Sequence, residues 1–391
     1  MSLVVDNRET VSGQPALHAL IIGVSQYPHL LGGSAPVADP WGMGQLTSTA
    51  STAALIAEWL QSPDTRLPVR LATLRMLLSP APTEPHLTGR ADPATLNNMI
   101  EEAAAWRADA SAHRGGHTLF YFAGHGIQRT KEDAVFCLED FRRPPFAALH
   151  HTIDLATLHA GMSPAPGRDD IARTQFYFVD ACRVQPAEER NFAPMNTSAV
   201  FDRDLAGQDD RRSPVFYASI SNATANAIPG RQTLFSIGLL ECLKGAGADS
   251  LGQDDLGNDI WGVSVNSLDR ALKLEIEDLN RAHQADQTYT QGGQFTDARI
   301  CLLPGAPLVD IELSIDPEAA RRAGALLIKS GDNVTRLQQP APVLPHPVRQ
   351  QLPAGLYSVE VSFSQQPPPF ATCKRLKKAQ APRTPWKVTV A

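Results

Sequence analysis

HTLFYFAGHG at 117–126 and TQFYFVDAC at 174–182 decide how this chain folds. Each is a run of apolar and aromatic residues ending at a reactive side chain, His125 in the first and Cys182 in the second. Runs that are hydrophobic throughout, rather than alternating, suit strands covered on both faces of a parallel sheet. Ligands of open α/β sheets bind beyond the carboxyl ends of the strands. A His and a Cys placed there can meet across one crevice although they lie far apart in sequence. Together they make a chemical unit, because a thiol is a poor nucleophile until deprotonated and a neighbouring imidazole assists that step. The glycines flanking His125 allow backbone to approach a substrate closely. The N–H groups of Gly126 and Cys182 are the candidate donors to a developing oxyanion.

Working outward, LHALIIGV (17–24), VRLATLRMLLS (69–79) and PVFYASIS (214–221) read as further strands. LTSTASTAALIAEWLQ (46–61) carries apolar residues at helical spacing. Asp92 and Pro93 fit the N-cap and first position of a helix running through Trp106. AVFCLED (134–140) reads as a short strand, DLATLHAGM (154–162) as a short helix, and TLFSIGLLECLK (233–244) and Val265–His283 as longer helices. Strands alternating with helices predict an α/β fold, a mostly parallel central sheet with helices on both faces. Residues 183–213 form a long polar loop, and such a loop inside a domain is usually functional or disordered. Near Pro304 and Pro307 the pattern changes to short alternating segments between proline-rich turns. The expected division is therefore 1–305 for the α/β part and 306–391 for a small all-β sandwich.

Composition narrows the functional classes. The chain has 391 residues, is 43% hydrophobic and 19% charged, and carries a net charge of -6, which gives no support to a nucleic-acid partner. The N-terminal residues lack a basic region followed by an apolar run, and no stretch reaches the ~18 apolar residues of a membrane span. A cytoplasmic location without a membrane partner is the expectation. The five cysteines lie far apart with no C-x-x-C, so free thiols are expected, Cys137, Cys242 and Cys301 as packing residues. His150-His151 has no carboxylate or cysteine at ligand spacing and is read as surface. The acidic group Asp249, Asp254, Asp255 and Asp259 is read as a solvated loop, with calcium as the alternative; its order does not match an EF-hand. No organic cofactor and no metal are required.

The Gly124-His125-Gly126 and Asp180-Ala181-Cys182-Arg183 motifs resemble the catalytic strand ends of the caspase and metacaspase family, clan CD cysteine peptidases of the C14 type. The sequence departs from the Q-A-C-[RQG]-G form at Asp180 and Val184. HALIIGVSQY (18–27) resembles the family's opening strand, and 214–245 its small-subunit strand and helix, so the likeness spans about 15–305. Thr52 stands where the family often has Asp in its first helix. The resemblance implies a caspase-like three-layer sandwich and a cysteine endopeptidase acting on proteins through His125 and Cys182. In the metacaspase branch an Asp two places before the nucleophile favours basic substrates. Asp180 therefore implies cleavage after Arg or Lys, since a pocket carboxylate pairs with a guanidinium by charge-assisted hydrogen bonds. Asp39 is a second candidate acid for that pocket. The 183–213 loop sits where relatives carry the linker between large and small subunits. Arg183, Arg190, Arg203, Arg211 and Arg212 are then candidate processing sites, for self-cleavage or for an upstream protease or regulatory partner. With arginine and alanine frequent, the resemblance is to bacterial members, for which stress or antiviral-defence signalling is the expectation. The alternative reading is a silent caspase-like scaffold acting through its C-terminal β region.

Overall fold

The structure, a computed structural model, describes residues 1–129, 134–182, 196–201, 208–219, 232–365 and 367–391. In chain order the first elements are β1 (Leu3–Asp6), β2 (Ala16–Val24), α1 (Thr49–Gln61), β3 (Arg70–Ser79), α2 (Leu96–Ala110) and β4 (His117–Gly124). There follow β5 (Gly126–Gln128), β6 (Ala134–Cys137), β7 (Thr152–Asp154), α3 (Leu155–Gly161), β8 (Thr174–Ala181), β9 (Ser213–Tyr217) and α4 (Leu234–Glu241). Then come β10 (Asp249–Gln253), β11 (Asp259–Ser264), α5 (Val265–His283), β12 (Thr290–Gln294) and β13 (Arg299–Leu302). The last are β14 (Leu308–Asp316), α6 (Glu318–Ala323), β15 (Ala325–Ser330), β16 (Thr335–Gln339), β17 (Val348–Pro353), β18 (Gly355–Ser362), β19 (Cys373–Ala379) and β20 (Arg383–Thr389).

The chain divides into two compact units, 1–240 with 276–298, and 241–275 with 299–391. The first is built on a seven-stranded sheet of order β1-β3-β2-β4-β8-β9-β12. β3, β2, β4, β8 and β9 run parallel, and β1 and β12 join the edges antiparallel. The sequence explains the order of burial. All nine residues of β2 are buried, as an unbroken apolar run at the centre of a two-sided sheet should be. One face carries Leu20, Ile22, Phe120, Phe122, Tyr177 and Val179, which form a core with Met99, Ala103 and Trp106 of α2. The Trp106 indole N–H donates to the His18 carbonyl at 3.0 Å, so this large ring is buried with its polar atom satisfied. α1 covers the opposite face through small residues: a Cβ on Gly23 would lie 2.6 Å from Ala53 Cβ and 2.8 Å from Ala50 Cα. The alanine-rich face of this helix is what lets it lie against β2. The expected α/β fold with a mostly parallel sheet is thus observed.

Two local readings need correction. α2 begins at Leu96, with Thr95 as N-cap accepting from Asn98 N–H, not at Pro93. Asp92 instead binds the N-terminal ammonium and the Ser2 hydroxyl. His151 is buried, not surface; its imidazole lies 3.6 Å from the Asp140 carboxylate and packs edge-on against Phe146. Cys137, Cys242 and Cys301 are buried as expected.

The second unit holds a three-stranded sheet, β10-β11-β13, and two further sheets, β17-β14-β20 and β16-β15-β18-β19. β14 alternates strictly, with Val309, Ile311, Leu313 and Ile315 buried. Tyr357, Val359 and Val361 of β18 and Trp386 of β20 join them in one core, the arrangement of a β-sandwich. The short helix α6 and the parallel β14–β20 pair depart from a purely antiparallel plan. Asp249 is engaged by Arg270 and Lys378, and Asp254 closes its own turn by accepting from Leu256 and Asn258 N–H. Among the described residues no group of three or more His, Cys, Asp or Glu side chains is placed to hold a metal. Nor is any described helix long and apolar enough to cross a membrane.

Candidate active site

β4 and β8 are adjacent and parallel, with Gly124 opposite Ala181 at their carboxyl ends. The next residues, His125 and Cys182, therefore leave the sheet side by side. The register explains the glycine after the histidine. A Cβ on Gly126 would lie 2.3 Å from the Cys182 carbonyl oxygen and 3.1 Å from Ala181 Cβ. Only a residue without a side chain lets these two backbones approach so closely. Beyond it the chain turns into β5, which pairs with β6, and the Cys137 N–H donates to the His125 carbonyl at 2.9 Å. Cys182 is reduced and half-buried.

The His125 imidazole is held from the loop that follows β2. Its Nε2 lies 2.8 Å from the Gly44 carbonyl oxygen. A carbonyl can only accept, so this contact places the imidazole proton on Nε2 and leaves Nδ1 as the basic nitrogen. Burial lowers the affinity of the ring for a second proton, and the contact with Gly44 opposes that in part. The imidazole is neutral at neutral pH, as a base must be before it acts. The His125 N–H donates to the Tyr27 hydroxyl at 2.8 Å, and the two rings pack 4.8 Å apart.

Asp180 lies one residue before the end of β8 and points to the sheet face opposite α2. It is 1% exposed. Its Oδ2 accepts from the Tyr121 hydroxyl at 2.9 Å and from the Thr233 hydroxyl, whose oxygen in turn accepts from the Ser236 N–H at the start of α4. Its Oδ1 is buried with no hydrogen-bond partner among the described residues. Burial pushes the carboxyl up to about 6, against the pull of the hydrogen bonds from Thr233 and Tyr121.

The other candidate positions fall elsewhere. Asp39 is exposed; its carboxylate accepts from the Trp41 N–H at 3.1 Å and closes a local turn, and it shares no partner with Asp180 among the described residues. Arg183, Arg190 and Arg203 lie outside the described residues. Arg211 is buried, paired with Asp209 at 2.6 Å and donating to the His159 carbonyl and Gln175 Oε1. Arg212 has an exposed side chain, while its backbone bridges to Thr174. Sequence reading did not find Tyr27, Gly44, Gln45, Tyr121 or Thr233. Tyr27 carried a signal, for it follows β2, the strand beside β4, by three residues.

Residues 16–278 match the family model described as Caspase domain. No curated protein matches the chain. Among solved structures, the crystal structure of caspase-1 from Spodoptera frugiperda is similar at 12% identity and a TM-score of 0.42, covering 74% of this chain and 91% of that one.

Proposed function

The chain belongs to the caspase-domain family, whose members are cysteine peptidases, and on that premise we propose that it is an endopeptidase working through His125 and Cys182 and cutting after arginine. The neutral imidazole takes the Sγ proton through Nδ1, and the thiolate attacks the scissile carbonyl. The N–H groups of Gly126 and Cys182 face the oxyanion that forms. The imidazolium then gives its proton to the leaving amine, and water, activated by the same nitrogen, hydrolyses the thioester and frees the acid product. No cofactor enters these steps.

The observation that carries the reading is the shared strand end: Gly124 opposite Ala181, with Gly126 packed onto the Cys182 carbonyl. Arginine preference rests on Asp180. A buried carboxylate with one oxygen unpartnered among the described residues can take one more donor, and a guanidinium supplies it with charge. Lysine fits less well, because its ammonium is more strongly hydrated and lacks the planar fork. We further propose that a cut within 183–213, by the enzyme itself or by another protease, accompanies activation, and that the enzyme serves stress or defence signalling in the cytoplasm. The test is a fluorogenic peptide library offering each residue before the scissile bond, given to the purified chain and to Cys182→Ala. The proposal expects turnover after Arg, less after Lys, and none by the variant. Cleavage confined to Asp would overturn the specificity, and equal turnover by Cys182→Ala would overturn the mechanism.

A further inference from the structure

The loop between β2 and α1 is tied to itself around His125. Gln45 holds Tyr27 from both sides: its Oε1 accepts from the Tyr27 N–H at 2.8 Å, and its Nε2 donates to the Tyr27 carbonyl at 2.8 Å and the Leu31 carbonyl at 3.0 Å. Leu31 bridges to Gly44 and donates to the Met43 carbonyl at 3.0 Å, and Leu46 N–H returns to the Ser25 carbonyl at 2.9 Å. The residue next to Gln45 is Gly44, whose carbonyl receives the imidazole. The fully buried Tyr27 accepts the His125 N–H and donates its own proton to the Cys137 carbonyl at 3.3 Å. Its hydroxyl also lies where a side chain on Gly124 would be, 2.8 Å from an added Cβ. One side chain thus fixes the backbone of His125, and the other fixes the carbonyl that orients its ring.

We propose that Tyr27 and Gln45 are positioning residues for His125: together they set the loop that offers the Gly44 carbonyl and so select the Nε2–H tautomer. This rests on the reading of His125 as the catalytic base. Tyr27 is fully buried and the Gln45 amide is taken up by the loop backbone, so their effect should fall on turnover and not on binding. A group displaced by about 1 Å near the chemistry can cost about 100-fold in rate. Tyr27→Phe and Gln45→Ala should therefore lower kcat roughly 10- to 100-fold with KM unchanged.

The experiment compares the full chain, Tyr27→Phe, Gln45→Ala and a control, Met99→Ala, which removes a buried side chain of the α2 core. It follows peptide turnover and, by 15N NMR with labelled histidine, the His125 tautomer; if one of the two variants does not fold, the other carries the test. The expected result is a single Nε2–H form in the parent and control, and mixed tautomers with lowered kcat in the two loop variants. A parental tautomer and parental kcat in both loop variants would overturn the proposal. Should the parent cleave no peptide, whether intact or after a cut within 183–213, while the loop variants still mix tautomers, the peptidase reading fails and the positioning stands. A fixed tautomer in an inactive parent and in its loop variants overturns both.

Discussion

Asp180→Asn isolates the cost of a buried carboxylate. The side chain is 1% exposed, and burial raises its affinity for a proton from the ordinary 3.8 to about 6. In the folded protein ionisation is therefore harder than in the unfolded chain, and the penalty falls on the folded state alone. It is absent below about pH 4, grows at about 1.4 kcal/mol per pH unit between the two values, and is complete near pH 7. A shift of about two units amounts to about 3 kcal/mol. The amide of the variant cannot ionise, and its carbonyl can still accept from Tyr121. Relative to the parent, the variant should gain stability as pH rises from 4 to 7, by roughly 6–12 °C in the unfolding midpoint of the first unit. Calorimetry of both proteins across that range reads the difference, in which titrations common to both cancel. Parallel midpoints separated by a constant offset would refute the argument, since they would mean that Asp180 titrates alike in the folded and unfolded chains. Under the proposed function the same substitution also removes arginine preference, a separate outcome read by KM.

Other consequences follow from close contacts. Gly126→Ala places a Cβ 2.3 Å from the Cys182 carbonyl and must push the two strand ends apart, so turnover should fall by about 100-fold and Cys182 alkylation should slow; parental rates would contradict the register argument. Gly23→Ala drives a methyl into Ala50 and Ala53 of α1 and should destabilise the first unit by about 1–3 kcal/mol in thermal melts, without changing KM. If the enzyme makes the proposed cut itself, intact-mass measurement should show it within 183–213 in the wild type and not in Cys182→Ala; an uncut chain in both assigns the cut to another protease. The cut should not follow Arg211, whose guanidinium is buried on Asp209, His159 and Gln175; a fragment ending at Arg211 would show that this anchor opens.

Much of this was legible in the sequence because the decisive elements are dominated by unbroken apolar runs. β2, β4 and β8 announce themselves as buried strands, and two of them are followed at once by the proposed catalytic residues, His125 and Cys182. What the sequence does not show is which strands are neighbours, and the site depends on that. Gly124 faces Ala181 only through the parallel register of β4 and β8. The groups that orient His125 are a backbone carbonyl, a tyrosine hydroxyl and an amide, none with a compositional signature. Asp180 was found by motif, but its partners Tyr121 and Thr233 come from a neighbouring strand and a distant helix start. Asp92 was misread for a similar reason: an Asp before Pro is a good helix cap, but here the N-terminal ammonium and Ser2 hold it, and Thr95 does the capping.

The pairing of His125 with Cys182 is tested most directly by covalent trapping. An arginyl chloromethyl ketone is incubated with the wild type and with His125→Ala, and the modified residue is mapped by mass spectrometry. The account predicts a single adduct on Cys182 of the wild type, with labelling slowed by orders of magnitude in the variant. An adduct on another cysteine, or equal labelling of Cys182 in both proteins, would contradict it.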